Sequence, residues 1–179
     1  MVSTITPETA TEAILQARAE SLAQSKESDL ATLQLRRLVV FRLGQESFGI
    51  DIAHAREIQP LTDVTIIPCT PSWVVGAVNI RGTVTTVIDA RRFFQMGPRA
   101  GLTTSKVMVI NCCDMEFGIV ADEVSDVIDV PTGSIQPPLA TMAGVREEYI
   151  SGVGPDMLVI LDVEAIAKDN RLTIHEEIS

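Results

Sequence analysis

The 179-residue sequence predicts a mainly β fold: two pseudo-symmetric five-stranded β-barrel subdomains with short helices and an N-terminal helical extension. First, short β-branched runs separated by turn residues follow one another from residue 37 onward, which is typical of small barrels. Second, FGIDIAHAREI at residues 48–58 resembles FGIVADEVSDVI at residues 117–128, which indicates an internal repeat of roughly 70 residues. Third, hydrophobic residues make up 46% of the chain and aromatic residues 4%, so the core is aliphatic.

We expect residues 1–36 to form a helical extension and linker, and residues 37–179 to form the main domain. Within this domain a first barrel covers approximately 45–95, a second covers approximately 100–162, and a C-terminal helix and tail cover 162–179. In the extension, Thr6-Pro7-Glu8 is a typical helix start. Leu15, Ala19 and Leu22 then fall at i, i+4 and i+7, on one face of a helix. The alternative is a solvated tail, because an isolated helix of this length is marginal in water.

Tight turns divide the main domain into hairpins. Gly44-Gln45-Glu46 separates LVVFRL from SFGIDI, and Cys113-Asp114-Met115 separates VMVINC from EFGIVAD. A third hairpin turns at Arg81-Gly82, where the glycine can take a positive φ. Asp89 and Asp162 each follow the last strand of a repeat, and aspartate at such a position is a good helix N-cap.

Charge and cysteine usage narrow the classes of function. The formal net charge of −10 argues against binding to nucleic acid or to anionic membranes, which requires a basic face. The N-terminal residues lack the pattern of a signal peptide, and no later run is long and apolar enough to span a bilayer, so we expect a cytoplasmic protein. The three cysteines are expected to be reduced and mostly buried, because neighbouring residues of a strand point to opposite faces.

Motifs for catalysis or metal binding are missing from the sequence. There is no GxSxG nucleophile elbow, and two distant histidines with one adjacent cysteine pair do not form a usual zinc site. We therefore expect no catalytic residues, no cofactor and no metal. The alternative is a small cytosolic β-barrel enzyme that uses the aspartates recurring in both repeats, which are Asp51, Asp89, Asp122 and Asp162.

LVVFRLGQESFGIDI, REI, IPCTPSWVVGAVNIRGTVTTVIDAR, FGIVADEVSDVI and EEYISGVG together resemble the CheW family, from about residue 38 to residue 168. The resemblance implies two pseudo-symmetric barrels and a non-enzymatic adaptor of chemotaxis signal transduction. Such an adaptor couples the cytoplasmic tips of chemoreceptors to the histidine kinase CheA, through the kinase's own CheW-like domain, in membrane-associated receptor arrays. The same adaptor in a pilus-motility or other chemosensory-like pathway remains an alternative.

The resemblance also implies which residues bind partners. It makes Glu57 and Arg81 central to the adaptor function, and we expect their side chains to form an ion pair on the surface of the first barrel. A receptor helix would need an apolar groove, which we place at the seam between the barrels. The alternative is that the groove residues are ordinary core. They are Ile52, Ala55, Val124 and Val127.

For the kinase we expect a face at Gly76 and Val78. This segment and the following hairpin differ most from their counterparts in the second repeat, which lack an arginine. Gly76 would allow a partner backbone to approach closely, and Val78 would supply apolar area beside it.

Overall fold

The computed structural model describes residues 13–22, 34–97, 105–142 and 144–173. The chain divides into two units, Met1–Gln34 and Leu35–Ser179. In the first unit, residues 13–22 form helix α1, and the apolar side chains Ile14, Leu15 and Leu22 are exposed. The predicted helix start at Thr6 and residues 25–33 of the predicted linker lie outside the described residues.

The second unit is mainly β, as predicted. Its strands are β1 (Leu35–Leu43), β2 (Glu46–Asp51), β3 (Ala55–Pro60), β4 (Val74–Ile80), β5 (Thr83–Asp89), β6 (Lys106–Cys112), β7 (Met115–Ala121), β8 (Glu123–Pro131), β9 (Thr141–Met142), β10 (Val145–Arg146), β11 (Ile150–Val153) and β12 (Val159–Leu161). Its helices are α2 (Ala90–Phe93), α3 (Val163–Ala167) and α4 (Asn170–Thr173), with 3-10 turns at Thr132–Ser134, Glu147–Tyr149 and Pro155–Met157.

The described strands form two five-stranded sheets and one small β9–β10 ladder. Sheet 1 has the order β11-β12-β2-β1-β8, and sheet 2 has the order β4-β5-β7-β6-β3. The two orders are equivalent position by position when Gly49 of β2 is matched to Gly118 of β7. Pseudo-symmetry is therefore present, but each repeat contributes its first hairpin to the sheet that holds the later strands of the other repeat. The predicted barrel boundaries, 45–95 and 100–162, do not correspond to the sheets, because each sheet takes strands from both ranges.

The connection between β7 and β8 is too short for these strands to pair with each other, whereas the three-residue connection between β2 and β3 would allow a hairpin. Only Asp122 separates β7 from β8, and residues 52–54 separate β2 from β3. A hairpin between antiparallel strands needs a loop of about two residues, so β8 cannot fold back onto β7 and continues into sheet 1. The last strand of each repeat then pairs in parallel with the hairpin received from the other repeat, β5 with β7 and β12 with β2.

Three apolar clusters stabilise this arrangement. The largest cluster is shared by the two sheets and by helices α2 and α3, and its members include Phe41, Phe48, Ile50, Ile88, Phe93, Ile110, Ile119 and Ile166. The other face of sheet 2 buries a cluster of Val78, Ile80, Val87, Val107, Val109 and Val120. The other face of sheet 1 buries Leu38, Val130, Leu158 and Ile160. Because one cluster contains residues of both sheets, the sheets cannot lose their packing independently.

The sequence correctly predicted the residues at which helices α2 and α3 begin. The Asp89 carboxylate accepts a hydrogen bond from the Arg91 backbone N–H at 3.0 Å, and the Asp162 carboxylate accepts one from the Ala165 N–H at 3.0 Å. Both aspartates therefore act as N-caps, as predicted.

The cysteines are free, as expected, but their burial was predicted wrongly. Cys69 and Cys113 are exposed, while Cys112 is buried. Cys113 follows the last residue of β6 and takes a φ of 54° in the β6–β7 turn. Strand alternation does not apply there, and its Sγ lies 3.5 Å from Cys112 Sγ. Burial and the neighbouring Cys113 raise the pKa of Cys112 to about 11.

Candidate functional site

The predicted ion pair between Glu57 and Arg81 is present. Arg81 and Gly82 form the tip of the β4–β5 hairpin, with φ values of 51° and 86°, and the Gly82 N–H donates to Asn79 Oδ1 at 2.8 Å. This turn directs Arg81 toward strand β3, where its Nε lies 2.9 Å from Glu57 Oε2. The Arg81 side chain is 82% exposed and that of Glu57 is 21% exposed. A guanidinium is therefore displayed at the surface while a half-buried carboxylate fixes its position.

A second ion pair lies beside the first and was missed by the sequence analysis. Arg56 Nη1 bonds Glu116 Oε2, and the Thr85 hydroxyl donates to Glu116 Oε1 at 3.1 Å. Glu116 shares the inward face of β7 with Gly118 and Val120, because alternate residues of a strand point to the same side. A charged residue at an inward position is the signal in the sequence that could have revealed this pair.

Of the four predicted groove residues, Val124 and Val127 lie on β8, Ala55 begins β3 and Ile52 directly follows β2. Val127 lies opposite Val39 in the β1–β8 ladder, and the Ile52 N–H donates to Arg37 O at 3.0 Å on the other side of β1. The side chains of Ile52 and Val127 are both exposed, so these two residues are not ordinary core. Val124, on β8 of sheet 1, and Ala55, on β3 of sheet 2, are half-buried and pack against the shared cluster.

The predicted kinase face at Gly76 and Val78 is wrong. Val78 is 3% exposed and belongs to the cluster inside sheet 2. Gly76, with a φ of 147°, faces the chain's own residues, because a Cβ placed there would lie 2.4 Å from Thr65 O. Thr65 is held in that place by two 2.8 Å hydrogen bonds with Ala77. The close approach that glycine permits is made by the segment before β4, and neither residue offers surface to a partner.

A polar cluster ties the C-terminal helix α4 to the rest of the unit. Arg171 Nη2 donates to Tyr149 Oη at 2.8 Å and lies 2.9 Å from Asp169 Oδ2, and its Cζ lies 4.0 Å from the centre of the Phe93 ring. Tyr149 in turn donates to Asp169. Burial, then the hydrogen bond to Asp169, raises the pKa of Tyr149. For Asp169, burial acts to raise the pKa, but the hydrogen bonds from Arg171 and Tyr149 outweigh it and lower the pKa to about 2. The groups of this cluster satisfy one another, which indicates a structural role.

Within the described ranges, no three His, Cys, Asp or Glu side chains are arranged to hold a metal ion. None of the helices in these ranges is long and apolar enough to cross a membrane. The polar groups described above are ion pairs and caps that join strands and helices, and two of the ion pairs display arginine at the surface. Arginine is enriched at protein–protein interfaces, so this surface suits a protein that binds other proteins.

Comparison with known proteins identifies the family. The CheW-like domain matches residues 37–171. Chemotaxis protein CheW of Treponema pallidum is 32% identical over 143 residues, which are 76% of this chain and 84% of that protein. Chemotaxis protein CheW of Klebsiella aerogenes is 32% identical over 148 residues, which are 80% of this chain and 89% of that protein. The crystal structure of scaffolding protein TtCheW from Thermoanaerobacter tengcongensis has a TM-score of 0.69 at 27% identity, covering 77% of this chain and 91% of that chain.

The chain therefore belongs to the CheW family. It is a CheW-type scaffold or adaptor protein of chemotaxis, and the proteins of this family are not enzymes. The expected adaptor class is confirmed, and the alternative of a small β-barrel enzyme is set aside.

Proposed function

We propose that this protein couples the cytoplasmic tips of chemoreceptors to the histidine kinase CheA, and that binding to the receptor tips recruits it to membrane-associated arrays. The observation that carries the proposal is the ion pair of Glu57 and Arg81, which displays a positioned guanidinium at a hairpin tip in a chain of this family. An exposed ion pair contributes at most about 1 kcal/mol to stability. Its value therefore lies in holding the hairpin in a shape that partners recognise.

Replacing Arg81 with alanine should leave the fold intact and reduce kinase activation. The measurement is kinase phosphorylation in arrays reconstituted from receptor fragment, kinase and adaptor, together with a urea unfolding curve. A matched control is Lys168→Ala, since Lys168 also forms an exposed ion pair, at 3.2 Å from Glu164. Full activation by the Arg81 variant, or its unfolding, would contradict the proposal.

The exposed apolar residues beside β1 are proposed to bind the receptor. A receptor helix would lay its apolar side along the border of the shared cluster, where Ile52 and Val127 are exposed and Ala55 and Val124 are half-buried. Ala55 belongs to sheet 2 and Val124 to sheet 1, and both pack against the shared cluster, which supports a position between the two sheets.

Val127→Glu should weaken receptor binding by about tenfold or more, because it places an unpaired charge in an apolar contact. Kinase binding should change far less. Each affinity is measured by titrating the labelled fragment of one partner with wild type and variant. Leu139→Glu serves as the control, since Leu139 is another exposed apolar residue. An equal loss of affinity for both partners would contradict the assignment of this surface to the receptor and would favour the alternative that Val127 acts as part of the core.

Purification of the protein with its bound kinase would assign the pathway. Identification of the kinase by mass spectrometry distinguishes flagellar chemotaxis from a pilus-motility or related chemosensory pathway.

A further inference from the structure

Two arginines, each held by its own carboxylate, line one small cavity at an end of sheet 2. The cavity has a volume of about 130 Å³ and is bordered by Arg56, Glu57, Arg81 and Glu116, with Ile80, Thr83 and Val109. The Arg56 side chain is 63% exposed and the Glu116 side chain 19%. Both guanidinium groups are thus accessible to solvent, whereas both carboxylates are largely covered.

The position of Arg56 is fixed from inside the sheet. Removing a carboxylate from water is costly unless hydrogen bonds compensate. Glu116 receives such bonds from the Thr85 hydroxyl and from Arg56. Because Thr85 is fully buried, it fixes the carboxylate, and the carboxylate in turn holds Arg56 at the rim of the cavity.

Both guanidinium groups keep donors for a further acceptor. Each has five N–H donors in a planar fork. The described bonds use Nε of Arg81 and Nη1 of Arg56. Arginine forks bind carboxylates in a bidentate manner, and anchoring by an internal carboxylate reduces the entropy lost on binding. The net charge of −10 opposes a polyanion such as nucleic acid, whereas a single acidic side chain matches one arginine fork in charge and geometry.

We propose that Arg56 and Arg81 form an arginine clamp for acidic side chains on the chemoreceptor tip, with Glu116 and Thr85 as positioning residues for Arg56. This inference rests on the proposed adaptor function and names the chemistry of one of its contacts. Arg56 follows Ala55 in β3, which is an edge strand of sheet 2. A partner lying along this edge therefore reaches both residues, although their side chains point to opposite faces of the sheet.

The test separates a contact with the receptor from a purely internal role of Arg56. Full-length protein is titrated against the cytoplasmic signalling fragment of a chemoreceptor from the same organism, at several salt concentrations. Arg56→Glu should weaken binding by about tenfold or more, since charge-assisted hydrogen bonds contribute on that scale. The double variant R56E/E116R restores the internal ion pair with its polarity reversed, so it should unfold near the wild-type temperature. It should still bind at least about tenfold more weakly than wild type, with a smaller salt dependence.

Wild-type affinity in the double variant would overturn the clamp, because an internal role needs only the restored ion pair. The control K168E/E164K reverses an exposed ion pair on α3 and should bind as wild type does. An equal loss in this control would also overturn the clamp, since it would show a general effect of charge. Failure of wild type to bind the fragment would refute the adaptor function itself, whereas failure of the clamp alone leaves wild-type binding intact.

Discussion

Replacing Gly76 with alanine is expected to lower the free energy of unfolding by about 2–5 kcal/mol. Two costs add at this position. The φ of 147° is one that residues with a Cβ rarely adopt, and the new methyl group would lie 2.4 Å from Thr65 O and 2.7 Å from Val64 Cγ1. Relief requires the segment before β4 to move away, which breaks the hydrogen bonds between Thr65 and Ala77. Urea unfolding measures the effect.

Two further glycines separate these costs. Gly82 has a φ of 86° with open space around it, so Gly82→Ala should cost about 1 kcal/mol for the backbone alone. Gly133 has open space and an ordinary φ, so Gly133→Ala should be nearly neutral. If Gly76→Ala were as stable as wild type and lost only kinase binding, the burial argument would be wrong and Gly76 would contact the partner.

Removal of the Arg171 charge is expected to cost about 3 kcal/mol, because it leaves the carboxylate of Asp169 without its guanidinium counter-charge. The Asp169 side chain is only 10% exposed. Arg171→Leu also loses the bond to Tyr149 and the contact with the Phe93 ring. Arg171→Lys keeps the charge but not the planar fork, so it should recover only part of the loss.

The dependence of this loss on pH identifies its cause. The pKa of Asp169 is about 2 in the folded protein, below its ordinary value of 3.8. A lowered folded pKa means that the carboxylate stabilises the fold above pH 3.8, and that this contribution disappears as the pH falls through 2. The stability difference between wild type and Arg171→Leu should therefore shrink between about pH 5 and pH 2. A constant difference would show that packing, and not charge, explains the loss.

Features set by neighbouring residues could be read from the sequence. The caps at Asp89 and Asp162 and the turn at Arg81-Gly82 depend on short segments with strong preferences. The pairing of Arg81 with Glu57, which lies 24 residues away, was expected from the resemblance to the CheW family. The sequence could not predict which strands each hairpin pairs with. Both repeats carry the same alternation of apolar residues, so pairing within a repeat and pairing between repeats would bury the same faces. The role of Gly76 was misjudged for a related reason: the sequence shows that something approaches closely, but only the Thr65–Ala77 bridge shows that it is the chain itself.

The exchange of hairpins between repeats also governs how the chain reaches its fold. Strand β1 pairs with β8, so Leu35 meets Pro131, and β2 pairs with β12, so Phe48 meets Val159. Sheet 2 needs the first hairpin of the second repeat, β6 and β7, and sheet 1 needs its later strands β8, β11 and β12, so neither sheet can be completed from the first repeat alone. Sheet formation therefore waits for strands of the second repeat, and its many contacts between distant residues place it among slow-folding topologies. Because each sheet takes strands from both repeats, a fragment that carries either repeat by itself lacks a complete sheet.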